Sequence, residues 1–195
     1  ARWLSETAQP GDEVFASHRW LRDSLPKRMI YSHLYGDVLE PCGLRRSILD
    51  VGGGFTALTR RLVLQHDYRL MDILAHDPPE ILKRVEKELE RAFWISSDWH
   101  EAEPGIYDLV IANDLFPNVD QRLSLFLRKY LPNCAEMRLS LTYYNTERWY
   151  RVKRTDADEV FHVLAWDAHQ VRRALEPYLS RLATPDLDCL LRDGP

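Results

Sequence analysis

The sequence predicts an α/β fold in which a mostly parallel β-sheet is covered by helices on both faces. Strand-like and helix-like apolar patterns alternate along the chain, which is typical of parallel sheets with crossover helices. The segment Tyr107–Ala112 shows no polar–apolar alternation, as in a strand that is buried on both faces. The strand-like run Ser47–Val51 leads directly into Gly52–Gly54, and a helix-like pattern follows.

The length and composition indicate one globular unit. The chain has 195 residues, of which 45% are hydrophobic and 29% charged, which is enough to bury a core. We divide it into residues 1–45, an N-terminal segment with one helix, and residues 46–195, the main domain. We see no linker or internal repeat between them and expect one compact unit.

Charge and cysteine content restrict the expected partners and location. The 26 basic and 30 acidic residues give a formal net charge of −4, so no overall positive field attracts nucleic acid. The basic cluster within 148–154 is short and is also typical of a solvated surface. Cys42, Cys134 and Cys189 match no metal-ligand spacing, and an odd number disfavours a disulfide framework. We therefore expect a reduced, cytoplasmic protein.

Membrane and metal partners are not expected either. No apolar run approaches the ~18 residues that span a bilayer. The seven histidines are scattered and none pairs at a metal-ligand spacing. The expected partner is a small-molecule substrate, and the sequence leaves the oligomeric state open.

The elements follow in order along the chain. Residues 1–26 are polar without a clear period, so we expect irregular structure up to Pro26. Lys27–Leu39 predicts a helix because apolar residues recur every four positions, and Pro41 and Gly43 end it. The later predicted elements are the strand Ser47–Val51, a helix through Leu58 and Leu62, the strand Tyr68–Ile73, a helix from Pro78 to Phe93, the strand Tyr107–Ala112, a helix from Leu123 to Tyr130, the strand Met137–Tyr143, a hairpin over Trp149–Ala165, a helix capped by Asp167 and a last strand over Leu187–Leu191.

The glycine turn has the composition of a ligand-binding loop. Glycine adopts positive φ and lets a ligand approach the backbone, and the helix that follows presents free N–H groups. Asp72 follows Gly52 by about 20 residues and lies at the tip of the next predicted strand, in reach of a ribose diol. The sequence thus predicts a nucleoside-bearing cofactor at this edge of the sheet.

These features do not by themselves choose the cofactor, because Gly52, Gly54 and Ala57 also satisfy the dinucleotide pattern G-x-G-x-x-G/A. Three points favour S-adenosylmethionine over NAD. Asp50 lies just before the turn, where a carboxylate suits a cationic amino-acid group and repels a pyrophosphate. Residues 1–46 precede the first strand, whereas dinucleotide folds often start near it. Residues 113–195 are too few for a separate substrate domain.

The run Asp50–Gly54 resembles the first motif of the class I S-adenosylmethionine-dependent methyltransferases, over roughly residues 46–145. Asp72 is similar to the family's ribose-binding acid. Ser97-Asp98-Trp99 is similar to its third motif, whose acid accepts from the adenine amino group. The run Tyr107–Asp114 resembles the fourth motif, which ends beside the methyl group. The resemblance implies S-adenosylmethionine as cofactor and a Rossmann-like three-layer sandwich with seven strands, the last antiparallel.

The resemblance also implies roles for single residues. Thr56 departs from the family, which often has glycine there, so the ligand has less room at this point. The implied cofactor-binding residues are Asp50, Gly52, Gly53, Gly54, Thr56, Asp72, Asp98, Trp99 and Asn113, together with Arg28 and Tyr31. The last two belong to the helix before the first strand, which in this family often covers the cofactor.

The expected reaction is methyl transfer to a small polar molecule. A hydroxyl acceptor needs a base, and the candidates are Asp114, first, and His33. We expect O-methylation of a sugar or another secondary metabolite. The alternatives are an NAD-dependent oxidoreductase and a non-catalytic, methyltransferase-like binding protein. The candidate substrate contacts are Phe116, Tyr143, Tyr144 and Arg148, although a polar loop with aromatic packing is slightly favoured for the last three.

Overall fold

The main sheet of the protein has five strands, all parallel. A computed structural model describes residues 6–41, 44–73, 78–154 and 159–183. The strands are β1 (Ser47–Val51), β2 (Asp67–Met71), β3 (Trp94–Ile95), β4 (Tyr107–Phe116) and β5 (Cys134–Leu141), and their order in the sheet is β3-β2-β1-β4-β5. The order reverses between β1 and β4, and such a switch point is where open α/β sheets bind ligands.

Six α-helices accompany the strands within the described ranges. They are α1 (Ala16–Asp23), α2 (Leu25–Leu39), α3 (Ala57–Gln65), α4 (Pro79–Glu88), α5 (Leu123–Tyr130) and α6 (Ala168–Leu175), with 3₁₀ turns at Asp12–Val14, Leu131–Asn133 and Glu176–Arg181. In the described part of the chain, no helix combines the length and the apolar character that crossing a membrane requires.

Two hydrophobic clusters, one on each face of the sheet, hold these layers together. Ile48 of β1 belongs to the cluster with α2, α3 and α4, whereas its neighbour Leu49 belongs to the cluster with α5 and α6. Successive residues of a strand point to opposite faces, so both faces of β1 are buried. The predicted α/β architecture with helices on both sides of the sheet is confirmed.

The predicted seven-stranded sheet with an antiparallel last strand differs from what the structure shows. Strands β6 (Arg148–Arg154) and β7 (Glu159–Ala165) pair antiparallel with each other as a separate two-stranded sheet. Only residues 155–158 separate β6 from β7 in the sequence, so pairing the two strands costs little loop entropy. This favours pairing of β6 with β7 over pairing of either strand with the edge of the main sheet. The predicted strand Leu187–Leu191 lies outside the described residues.

The N-terminal segment is helical where the sequence predicts irregular structure. Pro26 does not end an irregular region but lies in the first turn of α2, where its missing N–H costs nothing, and Ser24 caps this helix. The segment docks onto α3 through buried polar contacts. Asp12 accepts from Arg60 at 2.6 Å, and His18 Nδ1 accepts from the Ala57 N–H at 3.3 Å.

Candidate active site

The glycine turn after β1 packs closely against its neighbours. Gly52 and Gly54 adopt positive φ values of 69° and 64°. A Cβ added to Gly54 would lie 1.9 Å from the Ser17 hydroxyl oxygen of α1, and one added to Gly53 would lie 2.4 Å from Asp50 Oδ1. Only glycine fits at these two positions, and the turn presents bare main chain to an adjacent cavity.

Asp50 of β1 is buried beneath this turn, with 3% of its surface exposed. The hydroxyls of Tyr35 and Tyr68 both donate to Asp50 Oδ2, each at 2.8 Å, whereas Oδ1 has no hydrogen-bond partner among the described residues. Burial raises the pKa of Asp50 to about 7, even though the two tyrosine hydrogen bonds lower it. An orphaned carboxyl oxygen beside the turn is a group that a bound cation would satisfy.

Asp72 lies directly after β2, at the same edge of the sheet. Its Oδ2 accepts from the Gly54 N–H at 2.9 Å, which ties the carboxylate to the glycine turn. The Trp94 indole of β3 donates to the Asp72 main-chain oxygen at 2.9 Å. Because a carboxylate has several acceptor positions, Asp72 can also accept from ligand hydroxyl groups in the cavity that it lines.

A charged cluster lies beyond β3. The Arg122 guanidinium joins Asp98 at 2.9 Å and Asp120 at 2.7 Å, and it lies over the Trp99 ring, 4.8 Å from the centroid. The Trp99 indole donates to Asp120 at 2.8 Å. Burial raises the pKa of Asp98, but hydrogen bonds from Arg122 and the His100 N–H outweigh it and hold this pKa below its usual value. Asp98 is therefore a charged acceptor at neutral pH.

Strand β4 is irregular where it reaches the cavity. Its pairing with β5 shifts register between Asn113 and Phe116, and Asp114 has a φ of 55°. This conformation is uncommon for residues other than glycine, and Asn and Asp tolerate it best. Asp114 Oδ2 lies 3.2 Å from Lys27 Nζ of α2, and the Thr142 hydroxyl donates to Oδ1. The bulge places the Asp114 carboxylate in the cavity wall.

The glycine turn, Asp72, Asp98 and Asp114 line one cavity of about 560 Å³ at the carboxyl edge of the sheet, whereas Asp50 lies outside its lining. The cavity lies at the switch point between β1 and β4, and helix α2 covers it from above through Tyr31, whose hydroxyl donates to the Gly53 carbonyl at 3.4 Å. The predicted site residues that line the cavity are Tyr31, Gly52, Gly53, Gly54, Asp72, Asp98, Trp99, Asn113 and Asp114.

Other predicted residues lie outside the cavity lining, among them the buried Asp50 described above. Phe116 is fully buried and packs its ring against Trp99, so its expected substrate contact is corrected to a core role. Thr56 is buried as the N-cap of α3, where its N–H donates to the Thr59 hydroxyl. His33 is exposed on α2 and is withdrawn as a candidate base. Arg28 donates to the carbonyl of Arg22 in the last turn of α1.

The predicted substrate loop after β5 is used for packing. Tyr143 is partly buried against the cluster under α5 and α6. The Tyr144 hydroxyl bonds with that of Tyr150 at 2.8 Å, and Arg148 lies over the same Tyr150 ring. None of the predicted three, Tyr143, Tyr144 or Arg148, is among the described residues that line the cavity.

Several residues that line the cavity belong to no recognisable sequence motif. Helix α1 contributes Ser17 and Trp20, α2 contributes Lys27, and β7 contributes Val163. Arg122 comes from the turn before α5. Each of them reaches the cavity through long-range packing, so only the tertiary structure brings them together.

Solved structures resemble this chain, whereas no protein-family model and no curated protein sequence matches it. The DhpI protein, in a complex with SAM and HEP, has 14% identity and a TM-score of 0.54, over 83% of this chain and 82% of that chain. A protein of Listeria monocytogenes, described as an S-adenosylmethionine-dependent methyltransferase, has 11% identity and a TM-score of 0.51, over 76% of this chain and 82% of its own.

A third similar structure is the PH0226 protein of Pyrococcus horikoshii OT3, with 16% identity and a TM-score of 0.50, over 82% of this chain and 89% of its own. At these identities the likeness concerns the fold. The chain therefore has the Rossmann-like fold of the class I S-adenosylmethionine-dependent methyltransferases.

Proposed function

We propose that the chain binds S-adenosylmethionine in the carboxyl-edge cavity and transfers its methyl group to a hydroxyl of a small polar molecule, such as a sugar or another secondary metabolite. The observation that carries this proposal is that Asp72 and Asp98 line one cavity of about 560 Å³ together with the bare glycine turn. A cavity of this size lies in the range of small-ligand sites.

The residues around the glycine turn fit the amino-acid end of the cofactor. Gly52–Gly54 present main-chain atoms without side chains, so a ligand can approach closely. The partnerless Asp50 Oδ1 is a buried acceptor beside the turn, and a cationic amino group, directly or through water, would satisfy it. A pyrophosphate would instead bring its negative charge next to the Asp50 carboxyl group, which disfavours NAD.

The residues beyond β2 and β3 fit the nucleoside. Asp72 is held by the Gly54 N–H at one oxygen and offers further acceptor positions to ribose hydroxyl groups. Asp98 is fixed by Arg122 and offers an acceptor for an adenine amino group. Trp99 contributes to the wall, but its ring is 4% exposed and packs edge-on against Phe126.

The acceptor end of the cavity is the part around Asn113 and Asp114. When bound, S-adenosylmethionine supplies an electrophilic methyl group and departs as a neutral sulfide. The chain then has to orient the acceptor hydroxyl, exclude water and accept a proton. Asp114 is the base in this proposal, since its carboxylate lines the cavity and a strained φ holds it there. Lys27 and Thr142 fix the orientation of the carboxylate.

Substitution of Asp72 tests the cofactor half of the proposal. Hydrogen bonds to a charged group contribute roughly 1.5–3 kcal/mol, so Asp72→Ala should weaken S-adenosylhomocysteine binding by about ten- to over a hundredfold in calorimetry. The matched control is Asp67→Ala, which removes an exposed carboxylate from the other end of β2 and should leave binding unchanged. Equal affinity of a folded Asp72→Ala variant and the wild type would refute the ribose assignment.

Substitution of Asp114 tests the acceptor half. Asp114→Asn keeps the shape and the Thr142 contact but removes the base, so turnover should fall by about 10²-fold or more while S-adenosylhomocysteine affinity stays nearly intact. The assay is S-adenosylhomocysteine release with a panel of hydroxylated acceptors. His33→Ala is the control and should turn over normally, because His33 does not line the cavity. Normal turnover of Asp114→Asn would contradict a carboxylate base.

A further inference from the structure

A second cavity, of 330 Å³, lies at the opposite edge of the main sheet, where β2 begins. It shares no lining residue with the carboxyl-edge cavity among the described residues. Three of its lining residues are arginines, each from a different segment: Arg45 before β1, Arg69 in β2 and Arg91 before β3. The fold thus gathers three guanidinium groups around one small space.

Main-chain carbonyl groups orient the three arginines. Arg91 Nη1 donates to the Val63 carbonyl at 2.7 Å, and Arg69 Nη1 donates to the Ala92 carbonyl at 3.0 Å. Arg45 Nη2 reaches the His66 carbonyl at 3.5 Å. A guanidinium has five N–H groups, so each arginine is anchored by one donor and keeps others for a ligand.

The charge around this cavity is not balanced. Asp67 is the one carboxylate in the described lining, and it lies 4.0 Å from Arg69 Nε. In the described ranges no carboxylate comes within 4.0 Å of Arg45 or Arg91 in an ion pair. The C-terminal end of α3 attracts cations and accounts for the Val63 contact of Arg91. It does not account for three arginines around one space, since Arg69 is anchored elsewhere.

The chemistry of the lining defines a ligand class. Arginine forks match the oxygen atoms of phosphate and carboxylate groups in bidentate geometry. Two aromatic residues, Tyr68 and Phe93, are almost fully buried and form an apolar part of the wall. The Tyr68 hydroxyl points away to Asp50, so its ring is what remains for the cavity. We propose that this cavity is a second binding site, for a small molecule that joins a phosphate monoester to an apolar ring.

This site does not depend on the proposed methyl transfer. It lies at the amino edge of the sheet, and its ligand would bind whether or not the other cavity holds a cofactor. Phenyl phosphate is a suitable probe, because it carries a ring and a phosphate but neither ribose nor adenine and so does not imitate the nucleoside of S-adenosylmethionine. Inorganic phosphate measures the contribution of the anion alone.

Calorimetric titration of the full chain at fixed ionic strength, with and without saturating S-adenosylhomocysteine, tests the proposal. Phenyl phosphate should bind saturably, more tightly than inorganic phosphate, and equally in both conditions. Arg69→Gln should weaken binding by roughly tenfold or more. Arg45→Gln is the second variant, because its carbonyl contact at 3.5 Å is weak and its loss leaves the fold intact. The control is Arg84→Gln, an exposed arginine of α4 that does not line the cavity.

Each outcome decides the proposal. The proposal is supported if Arg45→Gln and Arg69→Gln both weaken phenyl phosphate binding and Arg84→Gln does not. If Arg69→Gln does not fold, the effect of Arg45→Gln alone is sufficient. Absence of saturable binding, or an equal loss in the Arg84→Gln control, overturns it. Displacement of phenyl phosphate by S-adenosylhomocysteine would place the probe in the other cavity and also overturns it. Failure of S-adenosylhomocysteine to bind would bear on the methyltransferase proposal alone.

Discussion

At the scale of single residues, Asp50 belongs both to the core of the fold and to the surroundings of the candidate site. It belongs to the central strand, and burial makes its charged form costly, so its pKa rises to about 7. Two tyrosine hydroxyls stabilise Oδ2, whereas Oδ1 is left without a partner beside the glycine turn. Asp50 is predictable from the sequence because it precedes the glycines. Tyr35 and Tyr68 are not predictable as its partners, because they reach Asp50 from other elements.

Asp50 should make the free energy of unfolding depend on pH. The native state holds the proton more tightly than the unfolded chain, so this contribution is fully present below about pH 4 and is lost as pH rises through 7. Relative to Asp50→Asn, the wild type should lose roughly 2–3 kcal/mol between pH 5 and pH 8. Urea unfolding of both proteins at several pH values measures this difference. Parallel stability curves for the two proteins would contradict a buried carboxyl with a raised pKa.

At the scale of elements, local patterns identify most of the fold. The strands around the glycine turn and the acids that follow them depend on neighbours in sequence, and β1 is predicted with its observed bounds. Helix α1 is different, because it is short and mostly polar, and it is held by docking onto α3 and the turn. Lys27 and Arg122 could not be predicted as site residues either, since the contacts of Lys27 with Asp114 and of Arg122 with Asp98 form only in the tertiary structure.

The contact between α1 and the glycine turn predicts a difference between two glycine substitutions. Gly11 and Gly54 both have positive φ, but a Cβ at Gly11 meets open space whereas one at Gly54 meets Ser17. Gly11→Ala should therefore cost about 1–2 kcal/mol of unfolding free energy, from backbone strain alone. Gly54→Ala should cost about 1–3 kcal/mol more, from overpacking.

Chemical denaturation of the two variants measures this difference, and a third protein isolates its cause. Adding Ser17→Ala to Gly54→Ala removes the hydroxyl that lies 1.9 Å from the added Cβ and should restore part of the loss. Equal stability of Gly11→Ala and Gly54→Ala would show that α1 does not pack on the turn as described.

At the scale of the whole molecule, the parallel sheet places the residues that follow its strands at one edge and the residues that precede them at the other. All five strands point the same way, so the residues that follow β1, β2, β3 and β4 converge on the carboxyl edge and those that precede them gather at the other. This directional rule is why the acidic residues of the candidate site are predictable from the sequence. The size of the cavity and its cover of N-terminal helices depend on packing, so they are not.

We infer that the carboxyl-edge cavity binds S-adenosylmethionine and not a dinucleotide. Calorimetric titration of the full chain with S-adenosylhomocysteine and, separately, with NAD tests it most directly. We expect saturable binding of one S-adenosylhomocysteine per chain, weakened by Asp72→Ala, and no saturable binding of NAD. Saturable binding of NAD, or binding of neither compound by the folded chain, would contradict it.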